Sequence, residues 1–440
     1  MGRNSKQRRD AKRRKVNRGA GRPSPDAFNV GGTGGFGPGD QPGMDPFAFA
    51  DLLVVGEVQR IAELKLEDAA LVRRAERLSR QAAPLPLIYL ADALHGLLAR
   101  LVATVVESGW SPEDLGELVR RRAGEAHLSF LVDLLTDDAA RGPALSPAWR
   151  AQLDALGARR RVSLATVQGL AAGLGMAALL ARLPTVPATI PRSGAGSAPV
   201  GSEQDHRKLA TVRALLAKAE STPYDEEAEA LSTKAQELIS RYALERLLTQ
   251  APSPASDERT GVAARRIWLD APYVAAKAIL VNEVAMANLC RSVFMDRLGV
   301  CTIVGDPPQL DAVELLATSL LVQGSAAMVR HGSLVDRRGV SRTRSFRQAF
   351  LVSYSTRIGQ RLREAAQGVV RDSGEERRLL PALRDYEARV DAAIDEMFPY
   401  LVQKQTAVTN ELGWAAGWAA ADLALLDVQG QVNEKVRSAG

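Results

Sequence analysis

Apolar positions recur every three or four residues over most of this chain, the spacing of helices that bury one face. The clearest example lies at 208–242. Leu209, Val212, Leu215, Leu216 and Ala219 fall on one helical face, and Ala228, Leu231, Ala235, Leu238 and Tyr242 on another. Between the two runs Thr222 is placed to cap the second helix. Pro223 sits where a missing N–H costs nothing, and Asp225 takes the third helical position of a capping box. The spacing predicts an antiparallel helical hairpin over 205–250, with Leu215, Leu216, Leu231 and Leu238 on its buried side.

The same reading divides the rest of the chain. Residues 1–45 read as a disordered basic and Gly-rich arm, and 46–184 as an all-helical region. Ser111-Pro-Glu-Asp114 and Ser146-Pro147 are cap-then-proline helix starts, with Trp110 placed as a hydrophobic staple. Residues 162–181 carry no charge and are flanked by Arg159-Arg160-Arg161 and Arg182, a length and setting that suit a membrane helix. Gly169, Gly173, Gly175, Ser163, Thr166 and Gln168 dilute that signal, so a buried helix is the expectation. Linkers are expected at 185–204 and 251–262, and a tail at 431–440. Between them, 263–430 mixes helical and extended patterns. Strands are expected at 267–269, 290–295 and 300–304, with a further extended piece at 405–409. Helices are expected at 272–289, 310–329, 345–366, 383–397 and 411–426. The expected fold class is mostly α with a smaller α+β C-terminal domain. It comprises a helical N-terminal region, a helical hairpin, and short antiparallel strands packed with helices.

Three short runs inside the hairpin carry a resemblance: Lys218-Ala-Glu-Ser-Thr222, Glu227-Ala-Glu-Ala230 and Lys234-Ala-Gln-Glu-Leu238. Together they resemble the bacterial domain of unknown function 2786. Further stretches resemble the C-terminal companion region of actinobacterial proteins bearing that domain. These are Ala271-Pro-Tyr273 with Lys277, the Asn288-Leu-Cys290-Arg291 run, 311–316 with 319–323, Ser345-Phe-Arg-Gln-Ala-Phe350, Arg357-Ile-Gly-Gln-Arg361, and Gly413 with Gly417. The resemblance covers roughly the second half of the chain. It implies family membership but brings no catalytic residue, cofactor or substrate.

Charge changes the picture at the N-terminus. Residues 1–22 hold ten basic groups, among them Arg8, Arg9, Arg13, Arg14 and Lys15, against the single acid Asp10. The remaining 47 basic and 50 acidic groups leave the body slightly acidic, so the arm alone makes the chain basic. A like-charged block of this kind repels itself and attracts polyanions. The two cysteines, Cys290 and Cys301, cannot staple 440 residues, which points to a reducing cytoplasm. No apolar run follows the basic block, which argues against a secretory signal.

Recognisable catalytic motifs are missing from the sequence. The four histidines (His95, His127, His206, His331) show no metal-ligand spacing, the cysteines form no C-x-x-C pair, and no phosphate-binding loop or nucleophile elbow occurs. No metal and no cofactor is expected. The acids Asp225, Glu226, Glu227 and Glu229 open a helix, where its dipole favours them. Lys218, Glu220 and Glu227 are expected to converge at the hairpin turn as a polar docking surface.

The helix at 345–366 is the most suggestive element. At 100° per residue, Arg347, Arg357 and Arg361 fall inside the arc of Phe346, Phe350, Tyr354 and Ile358, where a core-facing helix would exclude charge. Arginine beside aromatic rings can contact phosphate while bases stack. Arg337, Arg338, Arg342 and Arg344 stand just upstream. The competing reading has these arginines snorkelling or pairing with Asp311 and Glu314. Trp414 and Trp418, with Gly413 and Gly417 beside them, read as a close-packed helix face over the core.

The expected function is that of a non-enzymatic, cytoplasmic, nucleic-acid-associated protein using the basic arm and the Arg/aromatic helix. Two alternatives stay open. One is an enzyme of unrecognised type with its site in the C-terminal domain, for which Asp306, Asp311 and Glu314 are the only local metal-binding acids. The other is a protein-interaction adaptor whose helical N-terminal region and hairpin dock partners.

Overall fold

A computed structural model describes residues 45–62, 68–193, 203–249, 262–330, 342–401 and 411–422. The basic arm, the middle of both expected linkers, the extended piece at 405–409 and the tail lie outside the described residues.

The N-terminal body is helical throughout: α1 (Pro46–Ala62), α2 (Asp68–Ala82), α3 (Leu87–Glu107), α4 (Pro112–Arg122), α5 (Leu128–Arg141), α6 (Pro147–Ala155) and α7 (Val167–Leu180). Val54, Leu78, Leu94, Leu98, Leu170 and Leu174 form its centre. Both cap-then-proline starts occur where expected. Ser111 Oγ accepts from the Asp114 N–H at 3.3 Å and Ser146 Oγ from the Trp149 N–H at 3.2 Å. Trp110, fully buried, donates its Nε1–H to the Pro184 carbonyl at 2.9 Å.

The uncharged stretch at 162–181 resolves into a 14-residue helix, α7, capped by Thr166. Fourteen residues rise about 21 Å, short of a bilayer core. Its glycines serve close packing: a Cβ on Gly173 would sit 2.6 Å from Leu94 of α3. Two other helices, α3 and the later helix Pro307–Arg330, are long and apolar enough to cross a membrane by length and composition. Both contribute buried residues to the two cores here.

The expected linker begins later than its composition indicated. Residues 185–193 are pinned to the helical body through Val186 N–H to Ser108 O (2.9 Å), Ser146 N–H to Arg192 O (2.8 Å) and Ser146 Oγ to Pro191 O (2.6 Å).

The second body holds the hairpin α8 (Glu203–Ser221) and α9 (Asp225–Thr249), then β1 (Ala263–Trp268), α10 (Val274–Ala287), β2 (Arg291–Met295), β3 (Val300–Gly305), α11 (Pro307–Arg330), α12 (Thr343–Asp372), α13 (Glu376–Met397) and α14 (Glu411–Asp422). The chain is mostly helical with a small antiparallel sheet in its C-terminal half, of order β1-β3-β2. Ile267 pairs with Cys301 and Phe294 with Cys301 across the two ladders, which sets the register.

One sheet face, carrying Ile267, Cys301 and Ile303, shares a core with α10, α11 and α12. The other face is divided. Ala264, Val293 and Val304 meet Tyr386, Val390 and Ile394 of α13, while Trp268 and Met295 meet the N-terminal body.

The hairpin is not an independent unit. Val212 and Leu216 of α8 and Ala235 and Ile239 of α9 are buried in the same cluster as Leu280, Leu316 and Phe350. Of the four leucines expected on the buried side, only Leu216 is fully buried; Leu215, Leu231 and Leu238 are half-buried. The inward face of α9 is instead Ala228, Ser232, Ala235, Gln236 and Ile239. Small and polar side chains face inward because α9 lies close to α8, α11 and α12 at once.

Candidate functional site

The Arg/aromatic arc of α12 is real but covered. Phe346, Phe350 and Tyr354 are 3 %, 0 % and 5 % exposed. Their rings contact one another in series: Phe346 is tilted 39° against Phe350, and Phe350 stacks on Tyr354 with centroids 6.3 Å apart and planes 8° from parallel. Tyr354 lies against Gly324 of α11, and the Phe350 backbone against Gly417 of α14, where an added Cβ would come within 2.2 Å of the Phe350 carbonyl. The rings therefore have no face open to a base. The expectation of base stacking on Phe350 and Tyr354 is corrected accordingly: α10, α11 and α14 all pack on α12, and a helix buried on several sides has no outer stripe.

The arginines on that arc are placed separately. Arg357 donates to Gln360 at 3.1 Å and lies 5.6 Å above the Trp418 ring. Arg361 is buried, Arg347 half-buried, and Arg342 and Arg344 exposed. Arg337 and Arg338, like Arg8, Arg9, Arg13, Arg14 and Lys15, lie outside the described residues. Pairing with Asp311 and Glu314 is also corrected, because Arg265 of β1 holds both, at 2.5 and 2.6 Å. Trp414 and Trp418 are half-buried with centroids 6.2 Å apart, and the close approach at Gly417 is that of small-residue packing.

At the hairpin turn Lys218 and Glu227 meet, while Glu220 lines the neighbouring groove. Lys218 Nζ meets Glu227 Oε1 at 2.8 Å, and Thr222 Oγ1 donates to Glu227 Oε2 at 2.6 Å. These hydrogen bonds, from Lys218 first, hold the Glu227 carboxyl below the ordinary range. The capping box is displaced as a result. The second helix starts at Asp225, not directly after Thr222, and the Thr222 hydroxyl accepts from the Tyr224 N–H at 3.3 Å. Tyr224 itself is 69 % exposed at the tip.

Beside this turn runs an open groove between the hairpin, α11 and α12. Its polar lining includes Glu220, Ser232, Gln323, Arg330, Tyr354 and Arg361. Gln323 Nε2 donates to Ser232 Oγ and Ser319 Oγ, both at 3.1 Å, which locks its amide across the groove floor.

Residues 207–246 match the model of the family described as a protein of unknown function, DUF2786. The hairpin is a DUF2786 domain. No curated protein and no solved structure matches the chain.

The DUF2786 domain is joined to its neighbour by a buried amide pair. Gln236 Nε2 donates to Asn288 Oδ1 at 2.9 Å, and Asn288 Nδ2 returns a bond to Gln236 Oε1 at 3.1 Å. Asn288 also donates to the Val284 carbonyl, and Gln236 to Ser240. Both amides are almost wholly enclosed, so each satisfies the other at a site closed to water. Gln236 and Asn288 lie within the runs that carried the family resemblance; what the runs could not show was that two of them touch.

The three local acids of the C-terminal region that could serve as metal ligands are each paired with arginine. Asp306 pairs with Arg246 at 2.8 Å, and Asp311 and Glu314 share Arg265. Among the described residues no group of three His, Cys, Asp or Glu side chains is placed to hold a metal ion. Cys290 and Cys301 are free and enclosed, and burial pushes both thiols up to about 12.

The sequence reading missed one charged centre. Arg266 of β1 is buried between the two bodies, paired with Asp114 of α4. Its Nη2 donates to the Pro187 carbonyl at 2.5 Å, and its guanidinium lies 5.3 Å from the Trp110 ring. Burial works against the Arg266 charge, and Asp114 works for it. Arg121 extends the seam, reaching Asp270 at 2.7 Å, and Arg122 donates to the Arg297 carbonyl at 2.7 Å. Buried arginine in a strand leaves no periodic signal; only its context in the fold reveals it.

Proposed function

We propose that this is a non-enzymatic, cytoplasmic, bacterial protein that associates with nucleic acid through its basic arm, carried on a folded body built around the DUF2786 domain. The observation that supports this reading is the concentration of ten basic groups in residues 1–22 of a chain whose remainder is slightly acidic. Such a block attracts phosphate without reading sequence, and its affinity falls steeply with salt. The α12 rings are assigned to the core, so base stacking there is no longer part of the proposal.

The experiment is fluorescence anisotropy of labelled duplex and single strand, with and without residues 1–22, across a salt series. Loss of binding and a flattened salt slope on removing the arm support the reading. Unchanged binding refutes it. Tyr354→Ala serves as the internal check: it should lower the melting temperature and leave affinity unchanged.

The adaptor reading keeps a foothold in one observation. Val322 of α11 and Tyr224 at the hairpin tip are exposed beside the mixed groove. A protein partner that survives arm removal would favour it.

A further inference from the structure

Helix α2 is strongly two-faced. Ala75, Leu78 and Ala82 are buried, while Arg73, Arg77 and Arg80 are exposed. The three arginines stand at i, i+4 and i+7, within an arc of about 60° and a rise of about 10 Å. Ala69 and Ala70 flank that arc within about 20°, and Gln81 and Glu76 lie about 40° beyond its two edges, so no acid lies within it.

The arginines on this face are also unspent. Arg73 and Arg77 make no hydrogen bond or ion pair among the described residues, and Arg80 donates only to the Glu76 backbone carbonyl. Arg74, off the arc, is the one that folding uses: it pairs with the buried Glu57 of α1 at 2.7 Å. A solvated helix face in a protein of mixed charge ordinarily alternates signs and pairs them. This one lines up three like charges instead, within the part of the chain that follows the arm.

We propose that Arg73, Arg77 and Arg80 form a second phosphate-contact surface, which binds the backbone of the same duplex that the arm engages. The assignment rests on the nucleic-acid reading above and adds a helix-borne site to the charges of the arm. Three guanidinium groups over about 10 Å match a polyanion whose charges are closely spaced along its axis. The arm and the face, on one chain, bind as linked modules, so the second contact forms at high effective concentration. The face carries no aromatic or amide side chain suited to base edges other than Gln81. Its contribution is therefore electrostatic and independent of sequence.

The test compares the full chain with its Arg73→Ala/Arg77→Ala/Arg80→Ala variant. The probe is a labelled duplex of random sequence, titrated between 50 and 200 mM salt. Each lost phosphate contact removes about 0.9 from the slope of log affinity against log salt, so the slope should fall by about 2.7. Over that fourfold range, the advantage of the parent over the variant should shrink by about 40-fold. The triple Lys variant at the same positions keeps the charges and should restore the slope, which separates lost charge from lost fold. If the parent binds no duplex, both readings fall. If the parent binds and the Ala variant keeps the parental slope, only the α2 assignment falls. Loss of binding to phosphatidylserine vesicles with an unchanged duplex slope would overturn it in favour of a membrane surface.

Discussion

Removing the Asp114 carboxylate isolates the seam between the two bodies. In Asp114→Ala the Arg266 guanidinium, whose side chain is 1 % exposed, stays buried without its counter-charge. Breaking one side of such a pair costs about 3–5 kcal/mol, because the remaining charge is stranded. Arg266 retains the Pro187 carbonyl and the Trp110 face, which places the expected loss near the lower end, about 3 kcal/mol. Ser111 loses its 2.6 Å hydroxyl partner but keeps its cap on the Asp114 position. The decisive comparison is Asp114→Ala with Arg266→Met, which removes both charges and should recover most of the loss. Because two bodies need not unfold together, hydrogen exchange of the β1 and α4 amides is a better readout than a global melt. Protection in β1 within about 0.5 kcal/mol of the parent in Asp114→Ala would refute the argument. So would a double variant that loses as much as the two single variants combined.

Three further outcomes are expected. Leu216→Ala, at 3 % exposure in the shared core, should cost about 2–5 kcal/mol by denaturant titration, and a cost below about 0.5 would put that face outside the core. Gly417→Ala drives a Cβ to 2.2 Å from the Phe350 carbonyl, so α14 should separate from α12 and become the first site of limited proteolysis, at a cost of about 1–3 kcal/mol; unchanged cleavage would argue against that contact. Cys290 and Cys301, with thiols raised to about 12, stay protonated at pH 8–9 and should react with a thiol reagent only on unfolding; labelling within minutes in native buffer would contradict their burial.

What could be read in advance depended on how local its cause was. The two serine-proline starts, the paired strands near 290–295 and 300–304 and the small-residue approach at Gly417 are set by residues within a few positions of each other. They appear where the pattern placed them. The α12 arc shows where such reading stops. The periodicity located Phe346, Phe350 and Tyr354 on one side with Arg357 and Arg361. It could not count how many elements would pack on that helix, and α9, α10, α11 and α14 all do. β1 reads poorly for a related reason. Ala263-Ala-Arg-Arg-Ile-Trp268 does not alternate apolar with polar, and one of its two central arginines points into a protein interior that a distant helix must make safe for charge. The face of α9 was misjudged because its inward positions are small or polar, and hydrophobicity is blind to a helix seated by closeness.

The Gln236–Asn288 clasp bears on where the module can travel. Residues 207–246 are a recognisable unit of inheritance, but they are not a unit of folding. Transplanted alone, the segment would present Val212, Leu216, Ala235 and Ile239 to water, together with an amide deprived of its mate. Any host that carries this hairpin must furnish an opposing wall with an apolar stripe and a matching donor–acceptor group. Graft experiments that cut at the edges of the recognised segment should therefore yield aggregation-prone fragments, whereas cuts that keep the strands and the following helices attached should yield soluble ones.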